Sequence, residues 1–375
     1  MTKNRISSAL IWLAIFCVAT ICLSSQESKA GVQRLKRVAF VPQKDEIVAL
    51  SSSEENGVLL VWSIDGTIKQ RFDFEKGVWG ASMAVSNKGD SVVLGLVGGP
   101  NLMCYSLVDK SSVWKMKGIE KGLGLSPISF TTDDHRVVVV GFKNIIIFDS
   151  KSGTIVERQE DSGAFSFGLP KYSTRIDRLS HTGRYAAFFQ GNLEHDEPMK
   201  NNVWITVYDI EKKKLVAKQA HVQKGFKNCS ADFTRDERNL VLGSMDGVVR
   251  VWSIPDQKVV RQWNAYENIK APTFRQRPFS NFIDSVILSP DGRLLATIGL
   301  NAGDVGFSIR IWEYATDRKV HEFLGVFSNT MCSGYPMAFS PDGKYFAFEQ
   351  QGKLCLYETE TWGEKWCVPS WAEDK

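Results

Sequence analysis

Apolar and polar positions along the chain repeat as short strands rather than as helical turns. A short apolar segment ending in an aromatic residue recurs seven times, as VLLVW at 58–62 and VRVW at 249–252. Successive aromatic residues are 43, 43, 60, 44, 60 and 45 positions apart, so two intervals are longer than the rest. No segment shows sustained helical periodicity, and the pattern therefore predicts strands throughout. The seven aromatic residues are Trp62, Tyr105, Phe148, Tyr208, Trp252, Trp312 and Tyr357.

A second motif lies upstream of each aromatic residue, where an apolar strand end is followed by a short polar turn. Its sharpest copies are LSPDGR at 288–293 and FSPDGK at 339–344. Proline fixes φ and glycine supplies a positive φ, which are the requirements of a tight turn. Another turn follows each aromatic residue, as SIDGT does at 63–67, and leads into a further strand. Each repeat therefore contains four short strands, which we name a to d.

Four-stranded units at a period of about 40–45 residues are typical of a β-propeller. We expect an all-β chain that forms a seven-bladed β-propeller of four-stranded antiparallel blades over residues 31–375. The repeated aromatic residues should pack between adjacent sheets. The units extend over roughly 36–370, and the fifth is the most regular, with GSMDGVVRVW at 243–252.

That segment resembles the core of a tryptophan–aspartate (WD) repeat, and weaker copies of the pattern cover nearly all of the chain after residue 30. The resemblance implies a structural network in the fifth unit, in which His221 bonds to Asp246 and to a strand-b hydroxyl such as Ser244 and so supports Trp252. The other units depart from the family pattern. None of them has a histidine at the equivalent of His221, and the aspartate of the b–c turn appears only as Asp246.

Residues 1–30 have the three regions of a secretory signal peptide. Lys3 and Arg5 precede an uncharged, mostly apolar segment, and Ser28 and Ala30 supply small residues for cleavage after Ala30. The alternative is an uncleaved N-terminal anchor, because the apolar segment is close to the minimum length of a membrane span. We expect export to the periplasm, the cell surface or the medium.

Charge and cysteine content exclude some partners and suggest one internal bond. The chain has 375 residues, and 46 basic against 42 acidic side chains give a net charge of +4, too small an excess to indicate nucleic acid. Five cysteines follow the signal segment, an odd number that cannot pair completely within one chain. Cys355 and Cys367 lie on predicted neighbouring strands and are the best candidates for a pair. The alternative is that all five are buried as small hydrophobic residues.

Catalytic signatures are missing from the sequence. It contains no Gly-x-Ser-x-Gly elbow, and the glycine-rich segment 95–100 is a turn between strands. His135 and His181 fall in a–b turns, and His195 lies beside two acidic residues in a loop. Solvated loop charges explain that cluster more simply than a metal site does. Asn228 begins a glycosylation-type motif that is equally the start of a strand. We expect no cofactor and no bound metal.

Long insertions occur only where the d–a crossovers and the b–c loops lie, at 161–174, 191–202, 265–281, 300–307 and 327–334. These connections share one face of a propeller, while the short a–b and c–d turns share the other. Aromatic residues with arginine are typical of interface anchors. The alternative is that the aromatic residues only pin their own loops. The candidate partner-binding residues are Phe165, Phe167, Lys171, Tyr172, His195, Lys200, Lys270, Phe274, Arg275, Arg277 and Phe279.

Two functions fit the sequence. The first is an exported, monomeric, non-catalytic scaffold that binds a protein or another ligand through its loop-bearing face, with no contact to nucleic acid and none to membrane unless the N-terminal segment is uncleaved. The second is a propeller enzyme of the lactone-hydrolase or oxidoreductase type, with a metal at the channel mouth. That alternative requires converging carboxylates, for which Asp177, Asp284 and Asp304 are the candidates.

Overall fold

The computed structural model describes residues 34–53, 56–119, 126–141, 144–160, 174–191, 203–219, 228–244, 246–266, 282–300, 307–326 and 336–370. Within these ranges every regular element is a β-strand. The strands form seven four-stranded antiparallel sheets, and each sheet consists of four strands that are consecutive in sequence. The predicted seven-bladed, all-β propeller is confirmed. None of the described residues forms a helix that could cross a lipid bilayer.

The first strand of every blade, strand a, belongs to the inner ring, because strands a of neighbouring blades contact one another, as β1 does with β5 and β25. These inner strands are β1 (Arg34–Phe40), β5 (Trp79–Val85), β9 (Ile128–Phe130), β13 (Thr174–Leu179), β17 (Asn228–Phe233), β21 (Phe282–Leu288) and β25 (Met337–Phe339). The second strands, b, are β2 (Glu46–Ser52), β6 (Ser91–Val97), β10 (Arg136–Val140), β14 (Tyr185–Gly191), β18 (Asn239–Ser244), β22 (Leu294–Leu300) and β26 (Tyr345–Gln350).

The third strands, c, carry the repeated aromatic residues. They are β3 (Gly57–Ser63), β7 (Leu102–Ser106), β11 (Asn144–Asp149), β15 (Val203–Asp209), β19 (Val248–Ser253), β23 (Phe307–Glu313) and β27 (Lys353–Glu358). The outermost strands, d, are β4 (Ile68–Asp73), β8 (Ser111–Met116), β12 (Ile155–Glu160), β16 (Lys214–Gln219), β20 (Lys258–Asn264), β24 (Arg318–Val326) and β28 (Glu364–Pro369).

Burial along the strands explains the sequence pattern. Strands b and c are covered on both faces by adjacent blades, so β10 and β11 read as nearly continuous Val and Ile. Strands d lie at the rim, and β4 and β20 alternate between exposed and partly buried positions with the two-residue period of a half-covered strand. The β-branched content of the middle strands fits this pleated, buried surface.

Seven hydrophobic clusters hold the ring together, and each one joins two neighbouring blades. The cluster that closes the ring brings Ala347 and Leu356 of the last blade against Val38 and Leu60 of the first. Closure also uses two hydrogen bonds, from Trp366 Nε1 to the Ile64 carbonyl at 2.9 Å and from Ser51 Oγ to the Ser370 carbonyl at 2.6 Å. The ring therefore closes by packing between complete blades, without exchange of a strand.

The a–b and c–d turns define one face of the ring, which we call the turn face. All seven a–b turns have five residues, as in 41–45 and 340–344, and every c–d turn has four or five. In six a–b turns the first residue is Ser or Thr, whose hydroxyl accepts a hydrogen bond from the first amide of strand b, as Ser340 Oγ does from Tyr345 N at 2.9 Å. The turn face is therefore short, regular and internally hydrogen-bonded.

Candidate functional site

The residues predicted to bind a partner lie outside the described residues. They occupy connections on the face opposite the turn face, which we call the loop face. The structure describes the strands that bracket these connections and the residues at their roots. The candidates in this position are Phe165, Phe167, Lys171, Tyr172, His195, Lys200, Lys270, Phe274, Arg275, Arg277 and Phe279.

The root of the connection between β20 and β21 is firmly held. The backbone N–H groups of Ala265 and Tyr266 both donate to the carbonyl of Gly247, at 2.8 and 3.0 Å. The Tyr266 side chain is 1% exposed, and its hydroxyl lies 3.0 Å from the Thr297 carbonyl and 2.9 Å from the Ser308 carbonyl. This connection, which continues into Phe274 and Arg275, therefore starts from a fixed point on the loop face.

Arg310 completes that anchor from the neighbouring blade. Its Nη1 donates to the Ala265 carbonyl at 2.5 Å, and its guanidinium lies 4.4 Å from the centre of the Tyr266 ring. Glu322 accepts from Arg310 Nε at 2.6 Å and also pairs with Lys319. Burial alone would raise the pKa of Glu322, but the hydrogen bonds from Lys319 and Arg310 hold it below its usual value. The charge of Arg310, itself 8% exposed, is thus neutralised inside the interface between blades 5 and 6.

Basic side chains collect along the inner ring. Arg34, Lys36 and Arg37 belong to β1, Arg178 belongs to β13, and all four are only partly buried although their strands are the innermost. Burial, followed by the charge of Arg34, lowers the pKa of Lys36. Burial, followed by the charge of Arg178, lowers the pKa of Arg37 to about 10. We call these four residues the basic inner wall.

A β-bulge explains why two consecutive residues of β1 join this wall. The pairing of β1 with β2 shifts between Leu35 and Arg37, so Lys36 is an extra residue in the ladder. A bulge re-aims the side chains beside it. The inner strands of blades 2, 5 and 6 bulge at the equivalent position, at Ala81, Cys229 and Asp284.

Three acidic residues near the inner ring, Asp232, Asp284 and Glu349, have different environments. The two carboxylate oxygens of Asp232 accept hydrogen bonds from the amides of Phe233 and Leu288, at 3.0 and 2.8 Å. Asp284 is fully buried. Burial raises the pKa of Glu349 on β26 to about 7, against the opposing effects of Arg34 and Lys36. Burial raises the pKa of Asp232, against the opposing effects of His181 and Arg178 among others, so acidic and basic side chains interact along the inner ring.

Polar side chains also join the inner strands of blades 4, 5 and 6. Arg178 Nε donates to the Ala231 carbonyl at 2.7 Å, and Ser230 Oγ accepts from the Val286 amide at 3.1 Å. Ser230 belongs to the glycosylation-type motif that begins at Asn228, and its hydroxyl is buried in this contact. The motif therefore marks the start of β17, as the strand interpretation predicts.

The structure places every repeated aromatic residue in a cluster with the preceding blade. All of them are buried, at 0–8% exposure. Trp312 also donates from Nε1 to Thr297 Oγ1 on strand b, at 3.0 Å. The set is Trp62, Tyr105, Phe148, Tyr208, Trp252, Trp312 and Tyr357.

The hydrogen bonds that the structure shows around Trp252 differ from those of the expected network. Asp246 forms an ion pair with Arg250 at 2.6 Å, and Ser244 Oγ accepts from the same guanidinium at 2.9 Å. Trp252 Nε1 donates to the Gln219 side chain of the preceding blade. His221 lies outside the described residues, so its part in this network stays a prediction.

A contact that the sequence analysis missed links the rims of the blades. A strand-d side chain donates to a c–d turn carbonyl of the next blade, and among the described residues this contact is seen at five of the seven junctions. The donor is a Gln, Trp or Arg of strand d. In the sequence such a residue cannot be told from the other side chains of a half-exposed strand, so this contact was not predicted. The pairs are Gln70 with Leu107, Trp114 with Ser150, Gln159 with Ile210, Arg261 with Ala315 and Trp366 with Ile64.

The structure joins Cys355 of β27 to Cys367 of β28 in a disulfide. The two residues face each other directly in the strand register. Cys104 is buried as a free thiol, and burial raises its pKa to about 12, so it is unreactive at neutral pH. The predicted pair is thus confirmed, and the alternative that all five cysteines are unpaired is wrong, although Cys104 is a buried thiol as that alternative expected.

The enzyme hypothesis requires three carboxylates to converge, and the structure describes the side chain of only one of them. Asp284 is buried, the side chain of Asp177 is not described, and Asp304 lies outside the described residues. In the part of the chain that the structure describes, no three metal-ligating side chains form a group. His135 and His181 are exposed in a–b turns, as predicted.

Comparison with known proteins matches one segment of the chain to a described family. The family model for the WD domain, G-beta repeat, matches residues 213–253, which contain the most regular repeat. Protein HIR1 of Candida albicans (strain SC5314 / ATCC MYA-2876) is 30% identical over 121 residues, which are 32% of this chain and 12% of that protein. The matched region thus spans about an eighth of that relative's length.

Proposed function

We propose that this chain, a seven-bladed β-propeller with a segment that matches the WD-domain family model, is an exported, non-catalytic scaffold that binds a protein partner through its loop face. A propeller of this kind is compatible with a role in protein interaction. Fold alone does not specify function, so the proposal depends on the molecule's own surface.

One observation carries the proposal, namely the buried anchor at the root of the connection between β20 and β21. Tyr266 and Arg310 fix the position from which the segment 267–281 leaves the blade. A rigid root lowers the conformational entropy that a binding loop loses when its partner orders it. Phe274, Arg275, Arg277 and Phe279 then supply aromatic and bidentate groups within six residues.

Export is supported by two independent features. The N-terminal segment has the charge and small-residue pattern of a signal peptide. The Cys355–Cys367 disulfide suits an oxidising compartment, where such bonds form and persist. We expect intact-mass analysis of the protein recovered from its native host to give an N-terminus at Gly31. A membrane-retained product that begins at Met1 would replace export with anchoring.

Binding through the loop face is tested by the double variant Arg275→Ala with Arg277→Ala. We expect its melting temperature to stay close to that of the unmodified protein. Capture of the partner from a host extract should weaken at least tenfold, about 1.4 kcal/mol, because two bidentate donors are lost.

A matched control removes two exposed lysines from the turn face, and the contacts of each lysine decide which ones are suitable. Lys213 is unsuitable, because its Nζ lies 2.7 Å from Glu157 and its backbone has a positive φ of 51°. Lys151→Ala with Lys212→Ala removes two exposed cations from the turn face instead. If this control loses the partner while the loop variant keeps it, the binding face is the turn face and the proposal is wrong.

A further inference from the structure

The junction between blade 7 and blade 1 differs from the other six because the chain does not cross it. Elsewhere strand d of one blade leads into strand a of the next, so neighbouring blades are covalently connected. Blades 7 and 1 contain the last and the first strands of the ring, and their contact depends on packing and hydrogen bonds. Proteins open locally where their units are held most weakly, so we expect the ring to open here first.

Strand β28 contributes one of its faces to this junction. Trp366 and Val368 pack against the cluster that joins the two blades, and the Ser370 carbonyl accepts from Ser51 Oγ at 2.6 Å. Trp366 Nε1 donates to the Ile64 carbonyl at 2.9 Å. Residues two positions apart lie on the same face of a strand. Both closing hydrogen bonds therefore depend on the position of β28.

The disulfide holds the same strand from its other face. Cys367 alternates with Trp366 and Val368, and it packs with Cys355 against the cluster shared with blade 6. Within its sheet β28 is the outermost strand, and its neighbour is β27. Cys355 lies directly opposite Cys367 on β27, so the bond between them fixes covalently the strand that closes the ring.

We propose that this disulfide is a redox latch, whose reduction by a dithiol loosens the junction between blade 7 and blade 1 while the other six junctions stay closed. Thiol–disulfide exchange requires access to the sulfur that is attacked. Cys355 is 1% exposed, whereas Cys367 is partly exposed on the outermost strand, so the reductant attacks at Cys367. The latch is closed in an oxidising compartment and opens where a dithiol is supplied.

The exchange takes place in two balanced steps. One thiolate of the dithiol attacks the Cys367 sulfur, the bond to Cys355 breaks, and Cys355 leaves as a thiolate that takes up a proton. The second thiolate of the reductant then attacks the mixed disulfide and releases Cys367 as a thiolate, which is protonated in turn. The protein gains two electrons and two protons, and the dithiol is oxidised to its own disulfide.

Hydrogen exchange of the whole folded chain, before and after reduction with dithiothreitol, tests the latch. Labelling with iodoacetamide first verifies that Cys355 and Cys367 have both become thiols. We expect exchange to become at least about tenfold faster in 364–370 and, across the junction, in 57–68. Exchange in 102–116, at the junction of blades 2 and 3, should stay unchanged.

A matched pair of tryptophan variants separates ring closure from the general effect of a rim contact. Trp366→Phe removes a closing hydrogen bond, and Trp114→Phe removes the equivalent bond at a junction that the chain crosses. We expect Trp366→Phe to speed exchange across its junction more than Trp114→Phe does. Cys355→Ala with Cys367→Ala should show the fast exchange of the reduced protein both with and without dithiothreitol.

The proposal is wrong if the disulfide resists the dithiol in the folded chain, because a latch has to open under native conditions. It is also wrong if reduction leaves exchange in 57–68 unchanged, or accelerates exchange equally in all seven blades. The variant Arg275→Ala with Arg277→Ala should respond to reduction as the unmodified chain does, so failure of the loop-face proposal leaves this result unaffected.

Discussion

At the scale of single residues, the positive-φ position of the c–d turns accepts a side chain in some blades and requires glycine in others. Each c–d turn contains one residue with positive φ, which is glycine at Gly66 and Gly153 but lysine at Lys110. A Cβ at Gly153 would meet the Trp114 ring at 2.7 Å. That ring is 9% exposed and is fixed by the bond from its Nε1 to the Ser150 carbonyl, so it has no room to move.

We predict that Gly153→Ala lowers the free energy of unfolding by about 1–3 kcal/mol. About 1 kcal/mol or more comes from the positive φ, and the remainder comes from the clash with Trp114. Lys110→Ala is the matched control, because its position also has a positive φ, 54°, and already carries a side chain. Chemical denaturation checks both variants. An equal and small effect of the two would mean that Trp114 does not constrain the turn.

The sequence could identify the aromatic residues of strands c because they recur at one strand position. It could not identify the role of Trp114 or Trp366, since strands d have no invariant residue at the rim. Gly66 and Gly153 stand opposite these two tryptophans, and their contact depends on the stacking of two blades. A single sequence carries no direct signal for such a contact.

At the scale of elements, the sequence predicted the strands well because their pattern is set by burial and turn chemistry. Every predicted strand-c segment falls within the corresponding strand, as 58–62 does within β3. The Ser-Pro-Asp-Gly turns have glycines with positive φ at Gly292 and Gly343, as expected. Local rules decide these features, so one chain suffices to find them.

The bulges of the inner strands were not predictable in the same way. Lys36 and Asp284 are extra residues in their ladders, and neither has a distinctive sequence context. Bulges depend on how strand a meets the inner ring. The sequence alone therefore did not predict that both Lys36 and Arg37 are only partly buried on the inner strand β1.

Strand β28 illustrates an alternative that only register could decide. Cys355 and Cys367 were candidates for a pair from their predicted strands, but the sequence fits burial without a bond equally well. The register sets them opposite each other, and the disulfide ties the last strand of the ring to its neighbour. The final blade, whose clusters face both blade 6 and blade 1, is thereby reinforced.

At the scale of the whole molecule, the two faces of the ring differ in regularity. The turn face is uniform, with hydrogen bonds between successive blades such as those from the Asn87 and Lys88 amides to Asp134. Connections of variable length occur on the loop face. A rigid framework that positions variable connections is the usual basis of recognition.

Hydrogen exchange on the complex with its captured partner tests this division most directly. Exchange slows where binding excludes water or suppresses local opening. We predict slower exchange in peptides that cover 267–281 and 192–202, with no change in the turns 210–213 and 254–257. Protection confined to the turn face, with unchanged exchange in 267–281, would contradict the claim that the loop face binds the partner.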